Sequence, residues 1–89
     1  MPTQTMEIKN IKGLHARASA KFAGVCEAHD ADAIVRKDGM DTGGDSIMGL
    51  LMLAASIGTF IEVETSGTDA DALMAALREL VDDKFGEGD

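Results

Sequence analysis

A chain of 89 residues, 45% of them hydrophobic, has material for one modest core, and three Phe with no Trp or Tyr make that core aliphatic and Met-rich. A net charge of −8 argues against nucleic acid, which rewards basic faces. No apolar run nears the ~20 residues of a membrane span, no charged-then-apolar secretory pattern opens the chain, and Cys26 is the single cysteine; we expect a cytoplasmic protein with no membrane insertion.

Residues 1–3 read as a loose start. From Gln4 to Asn10, Met6 and Ile8 alternate with Thr5, Glu7 and Lys9, as in a half-buried strand. A connection from Asn10 to Leu14 hinges at Gly13. Ala16, Ala20 and Ala23 then recur at helical spacing, flanked by Phe22 and Val25, which predicts a small-residue helix over 16–28. Ala33–Lys37 and Met40–Thr42 flank Asp38-Gly39, a dipeptide suited to a two-residue hairpin. Ser46 can cap an apolar segment, Ile47–Ala55, which Gly58 ends. Phe60, Ile61 and Val63 make a further strand, closed by Ser66-Gly67. Thr68 and Asp71 resemble a capping box for a last helix with Leu73, Ala76, Leu77, Leu80 and Val81 as its stripe. Gly86–Asp89 reads as a frayed tail, and Asp82, Asp83, Glu87 and Asp89 as a solvated acidic end. The order β-α-β-β-α-β-α within one domain, 1–89, predicts an α+β open-faced two-layer sandwich: a four-stranded antiparallel sheet covered on one face by three helices.

Gly13-Leu14-His15-Ala16-Arg17 is the most specific segment. It puts one of only two histidines at the mouth of a helix, whose free N–H groups and positive dipole end favour anions. The dipole also favours a neutral, nucleophilic imidazole, and Arg17 offers a charge-assisted fork for phosphate oxygens. The backbone amides of Ala16 and Arg17 are candidates for the remaining contacts. Taken alone, the same histidine also fits an ordinary loop residue that precedes a helix.

The segment, with Ala18-Ser19-Ala20-Lys21-Phe22 continuing the helix, resembles the active-site segment of HPr, the histidine phosphocarrier family of the bacterial phosphotransferase system, including its nitrogen-related branch. Asp45-Ser46-Ile47-Met48-Gly49-Leu50-Leu51-Met52-Leu53 resembles the family's regulatory-serine segment, at the expected distance. The resemblance implies the HPr fold. It also implies that His15 accepts a phosphoryl group on Nδ1 from phosphorylated enzyme I and passes it to EIIA-type acceptors, while Arg17 stabilises the phosphoryl oxygens. This makes the protein a stoichiometric carrier and not an enzyme, with no cofactor. The commoner family pattern has proline after the arginine, where this chain has Ala18; the change touches neither nucleophile nor cation.

Ser46 has two readings, both open in the sequence. It is a good helix cap, and it resembles the serine that HPr kinase/phosphorylase modifies in some bacteria; a phosphate at a helix start would not unfold the domain. By helical phase Leu50 and Leu53 face the sheet, leaving Ile47, Met48 and Leu51 as a partner-docking side. Cys26 and His29 share an i, i+3 spacing, but two ligands make a poor site and no metal is expected. The lone cysteine also counts against a metallochaperone-like domain. A pure interaction module with an inert His15 is the remaining alternative. Nothing in the sequence demands more than a monomer.

Overall fold

The structure, a computed structural model, describes residues 2–87. Its elements are β1 (Thr3–Glu7), α1 (Ala16–Glu27), β2 (Asp32–Lys37), β3 (Met40–Gly43), α2 (Ile47–Met52), β4 (Phe60–Ser66), α3 (Ala70–Asp82) and a closing 3₁₀ turn, Lys84–Gly86. The strands form one antiparallel sheet in the order β1-β4-β2-β3. Alternation decides which face is covered: Met6, Ile61, Val63, Ala33 and Val35 point under the helices and are buried. Phe60, Glu62, Ile34 and Arg36 occupy the alternate positions on the open face, where Arg36 bridges Glu62 and Glu64 at 3.3 and 2.8 Å. The fold is the expected open-faced sandwich.

The Asp38-Gly39 turn has φ of 52° and 81°, the pair of positive angles that a two-residue hairpin twisting with its strands requires. Other boundaries moved. The chain pairs from its start, since Thr3 lies opposite Glu64 and the Thr65 N–H donates to the Pro2 carbonyl at 3.0 Å; Met1 lies outside the described residues. Strand β1 stops at Glu7, because the Ile8 N–H and carbonyl bond to Thr59 and Gly58 instead (2.8 Å each) and Asn10 turns into the core.

Helix α1 buries Ala18, Ser19, Phe22, Ala23 and Cys26, so its packed stripe is rotated from the expected one, leaving Ala16 and Ala20 exposed. Helix α2 ends at Met52, before the expected Ala55, with Ala54 at φ 52°. The residues beyond it are committed elsewhere: Ala55 receives the Leu14 N–H at 2.8 Å, and the Gly58 N–H goes to Ile8. The Thr68 capping box does not form. Asp69 holds the cap position of α3 without a side-chain cap bond, because its carboxylate accepts the Asp30 N–H at 2.8 Å. Along α3 the buried stripe is Ala70, Leu73, Met74, Leu77 and Val81, with Leu80 partly buried against the core and Ala76 at intermediate exposure.

Candidate functional site

Three backbone commitments present His15. Gly13 has φ +66°, and a Cβ there would lie 2.4 Å from the Ala55 carbonyl oxygen, so this position needs glycine for both angle and space. Leu14 is buried and hydrogen-bonded to Ala55, which pins the loop. His15 itself is the N-cap of α1, in extended conformation, and its carbonyl accepts the Ser19 N–H at 2.8 Å while the Ser19 hydroxyl donates to the Leu14 carbonyl at 3.1 Å.

The imidazole replaces the usual Ser or Asp as the capping acceptor: its Nδ1 accepts the Arg17 N–H at 3.3 Å. That bond assigns the tautomer. Nδ1 carries a lone pair at the positive end of α1, so Nε2 carries the proton, which it donates to the Glu87 carboxylate. Glu87 is held in turn by Asn10, whose Nδ2 reaches it at 3.0 Å and the Gly13 carbonyl at 2.7 Å. The hydrogen bond from His15 first, and that from Asn10 second, keep the Glu87 carboxyl below its ordinary carboxylate range.

Cations gather on the same side. Lys12, Arg17 and Lys21 line a groove of about 290 Å³ with Gly86 and Glu87, on a chain whose net charge is −8. The Lys21 ammonium donates to the Phe85 carbonyl at 2.7 Å, and among the described residues the Arg17 guanidinium has no carboxylate partner. A second, shallow groove runs from Lys12, Leu14 and His15 to Leu51, Ala54, Ala55 and Ser56, so the end of α2 adjoins the histidine.

A family model described as "PTS HPr component phosphorylation site" matches residues 2–83. The chain belongs to the HPr family. It is 47% identical over 89 residues to the phosphocarrier protein HPr of Neisseria meningitidis serogroup A, covering 100% of both chains. It is 36% identical over 85 residues to the phosphocarrier protein NPr of Escherichia coli K12, covering 94% of each. The crystal structure of HPr-C-His from Thermoanaerobacter tengcongensis superposes with a TM-score of 0.93 at 37% identity, over 98% of each chain.

Within the HPr fold, the tail departs most from the sequence expectation. Glu87 is not part of a solvated acidic end. It is delivered to the histidine by Phe85, which is fully buried, and its side chain keeps only 13% exposure. Gly88 and Asp89, the rest of the expected tail, lie outside the described residues. Asn10 and Glu87, which hold the ring, and Lys12 and Lys21, which line the groove, are the residues that sequence reasoning missed. The available signal was Phe85, a large apolar residue four positions after Val81 and followed by glycine.

Ser46 caps α2, its Oγ accepting the Gly49 N–H at 3.1 Å. Leu50 and Leu53 are buried as phase required; Ile47 and Met48 are 42% and 70% exposed and Leu51 is half-buried. Met52, at 64% exposure, joins that apolar surface although phase alone did not single it out. Among the described residues no three His, Cys, Asp or Glu side chains converge as metal ligands, and the His29 Nδ1–H is taken by the Val25 carbonyl at 2.8 Å.

Burial, followed by the charges of Asp45 and Glu27, pushes the Cys26 thiol up from 9.0 to about 12. Its thiolate fraction at pH 8 is therefore cut roughly a thousandfold. In iodoacetamide labelling at pH 8, the native protein is expected to react at least ~100-fold more slowly than the same chain in denaturant. Comparable rates would show the side chain to be open.

Proposed function

We propose that this chain carries a phosphoryl group on Nδ1 of His15, taken in the cytoplasm from phosphorylated enzyme I and passed to EIIA-type proteins. One observation carries the reading: the Nδ1 lone pair lies at the start of α1, against the Arg17 N–H and beside a groove with three cations. In transfer, that lone pair forms the new P–N bond as the donor's P–N bond breaks, its electron pair remaining on the donor nitrogen. Nδ1 then ceases to accept a hydrogen bond, which frees the Arg17 N–H for a phosphoryl oxygen. The Ala16 amide and the Arg17 guanidinium complete the anion contacts. Phosphoryl transfer depends mainly on positioning and charge stabilisation, so a small domain with one nucleophile and few donors suffices. The partners supply the rest.

The docking surface in this reading is the exposed apolar side of α2, Ile47, Met48 and Leu51, extended by Met52. Flexible Met side chains suit a face that must meet several partners in turn. Ser46 sits at the start of the same helix. A kinase of the HPr kinase/phosphorylase type would add negative charge there, beside Asp45, weakening docking without breaking the cap.

Intact mass after incubation with enzyme I, phosphoenolpyruvate and Mg²⁺ tests the reading. The expected result is one added phosphoryl group of ~80 Da, lost in acid, because a P–N bond to imidazole is acid-labile. No adduct with a demonstrably competent enzyme I overturns it.

A further inference from the structure

A neutral imidazole can carry its proton on either nitrogen, and only one arrangement leaves Nδ1 free to attack. Imidazole nucleophiles and ligands are commonly fixed by what the other nitrogen binds. Here that partner comes from 72 residues away along the chain. We propose that Glu87 is a positioning residue for phosphoryl transfer: its carboxylate accepts the His15 Nε2–H, locks the ring in the tautomer with a lone pair on Nδ1, and compensates the positive ring that transfer creates. The proposal rests on the carrier reading of His15.

The geometry is built and not incidental. Phe85 is fully buried, and Lys84, Phe85 and Gly86 all hold positive φ (55°, 56° and 73°), a sharp left-handed turn that throws residue 87 back toward the start of α1. Lys21 closes that turn from α1 itself, through the Phe85 carbonyl. Asn10, with no exposed surface, spends one amide group on both the Gly13 carbonyl and the Glu87 carboxylate, so a single side chain joins the histidine loop to the tail. Two oxygens of Glu87 thus have two different donors, which fixes the carboxylate's rotation as well as its place.

The consequence for the chemistry follows from charge balance. When the Nδ1 lone pair forms the P–N bond and Nε2 keeps its proton, the ring becomes an imidazolium. Its positive charge is shared toward Nε2, where the carboxylate already waits. No proton has to leave during the step, and the reverse transfer to an acceptor restores the neutral ring with its tautomer unchanged. Glu87 therefore acts through the ring on both the arriving and the departing phosphoryl group.

Glu87→Ala and Glu87→Gln separate orientation from charge, since the glutamine carbonyl still accepts the Nε2–H. In ¹⁵N-labelled, unphosphorylated protein, two-bond ¹H–¹⁵N correlation of the His15 ring should show a protonated Nε2 in wild type and Glu87→Gln. Glu87→Ala should shift the ring nitrogens toward a tautomer mixture. Single-turnover phosphorylation by enzyme I should slow at least about tenfold in Glu87→Ala, with Glu87→Gln between, as for other residues that orient a functional histidine. Ring spectra and rates of Glu87→Ala that match wild type would overturn the proposal, as would a changed ring with an unchanged rate. If enzyme I leaves wild type unmodified, the carrier reading fails; the ring spectra then still decide whether Glu87 sets the tautomer.

Discussion

His15→Ala should accept no phosphoryl group from enzyme I while remaining folded and able to bind it. The carrier chemistry needs a ring nitrogen with a lone pair, and the only other histidine, His29, sits beyond the far end of α1 with its Nδ1–H given to Val25. The cost to the fold is small. It removes a long cap bond, at 3.3 Å, and the Glu87 carboxylate's bond to Nε2 at a partly exposed site, a loss of about 1–2 kcal/mol. His15→Asn is the sharper control, because Asn caps a helix well and has no nucleophilic nitrogen. Both variants should show no adduct by intact mass, and near-native affinity for enzyme I by calorimetry. An acid-labile adduct on His15→Ala would place the phosphoryl group elsewhere. A wild type that binds enzyme I but is never modified would instead describe a pure interaction module.

The contrast between His15 and Glu87 shows what a sequence exposes. The placement of His15 at a helix start was legible because its setting is local: a glycine hinge, a buried leucine and the start of the helix all lie within a few residues. The sheet was legible for the same reason, since the alternation of Met6 and Ile8, or Ile61 and Val63, states the buried face directly. Errors collected where a distant partner overrode a local signal. Thr68 and Asp71 have the spacing of a capping box, yet Asp69 is drawn to Asp30, 39 residues away. The apolar run after Ser46 reads as helix to Ala55, yet Ala55 is claimed by Leu14. Glu87 belongs to this second class: an acidic residue near the end of an acidic chain has no local mark of a role, and the burial of Phe85, with Lys21 and Asn10, brings it to the histidine.

Phe85→Ala tests whether that delivery is structural. Truncating a fully buried phenylalanine ordinarily costs about 3–5 kcal/mol, which in a domain of this size lowers Tm by roughly 10 °C or more. Here the loss has a second route. Lys84 and Phe85 are held at positive φ, a strained backbone state for non-glycine residues that persists only while packing imposes it. Without the ring, the turn can detach locally and leave the sheet and the three helices in place, so the measured loss should fall at the lower end of that range. Detachment also withdraws Glu87. The His15 ring spectrum of Phe85→Ala should therefore match that of Glu87→Ala, although the hydrogen-bond partners of the imidazole are Arg17 and Glu87 and not Phe85. A protein that loses the stability but keeps the wild-type ring spectrum would show that Asn10 alone secures the carboxylate. Coincidence of the two spectra would show instead that the core residue and the imidazole are joined through three residues of left-handed backbone, so that packing at Phe85 sets the state of a proton on His15.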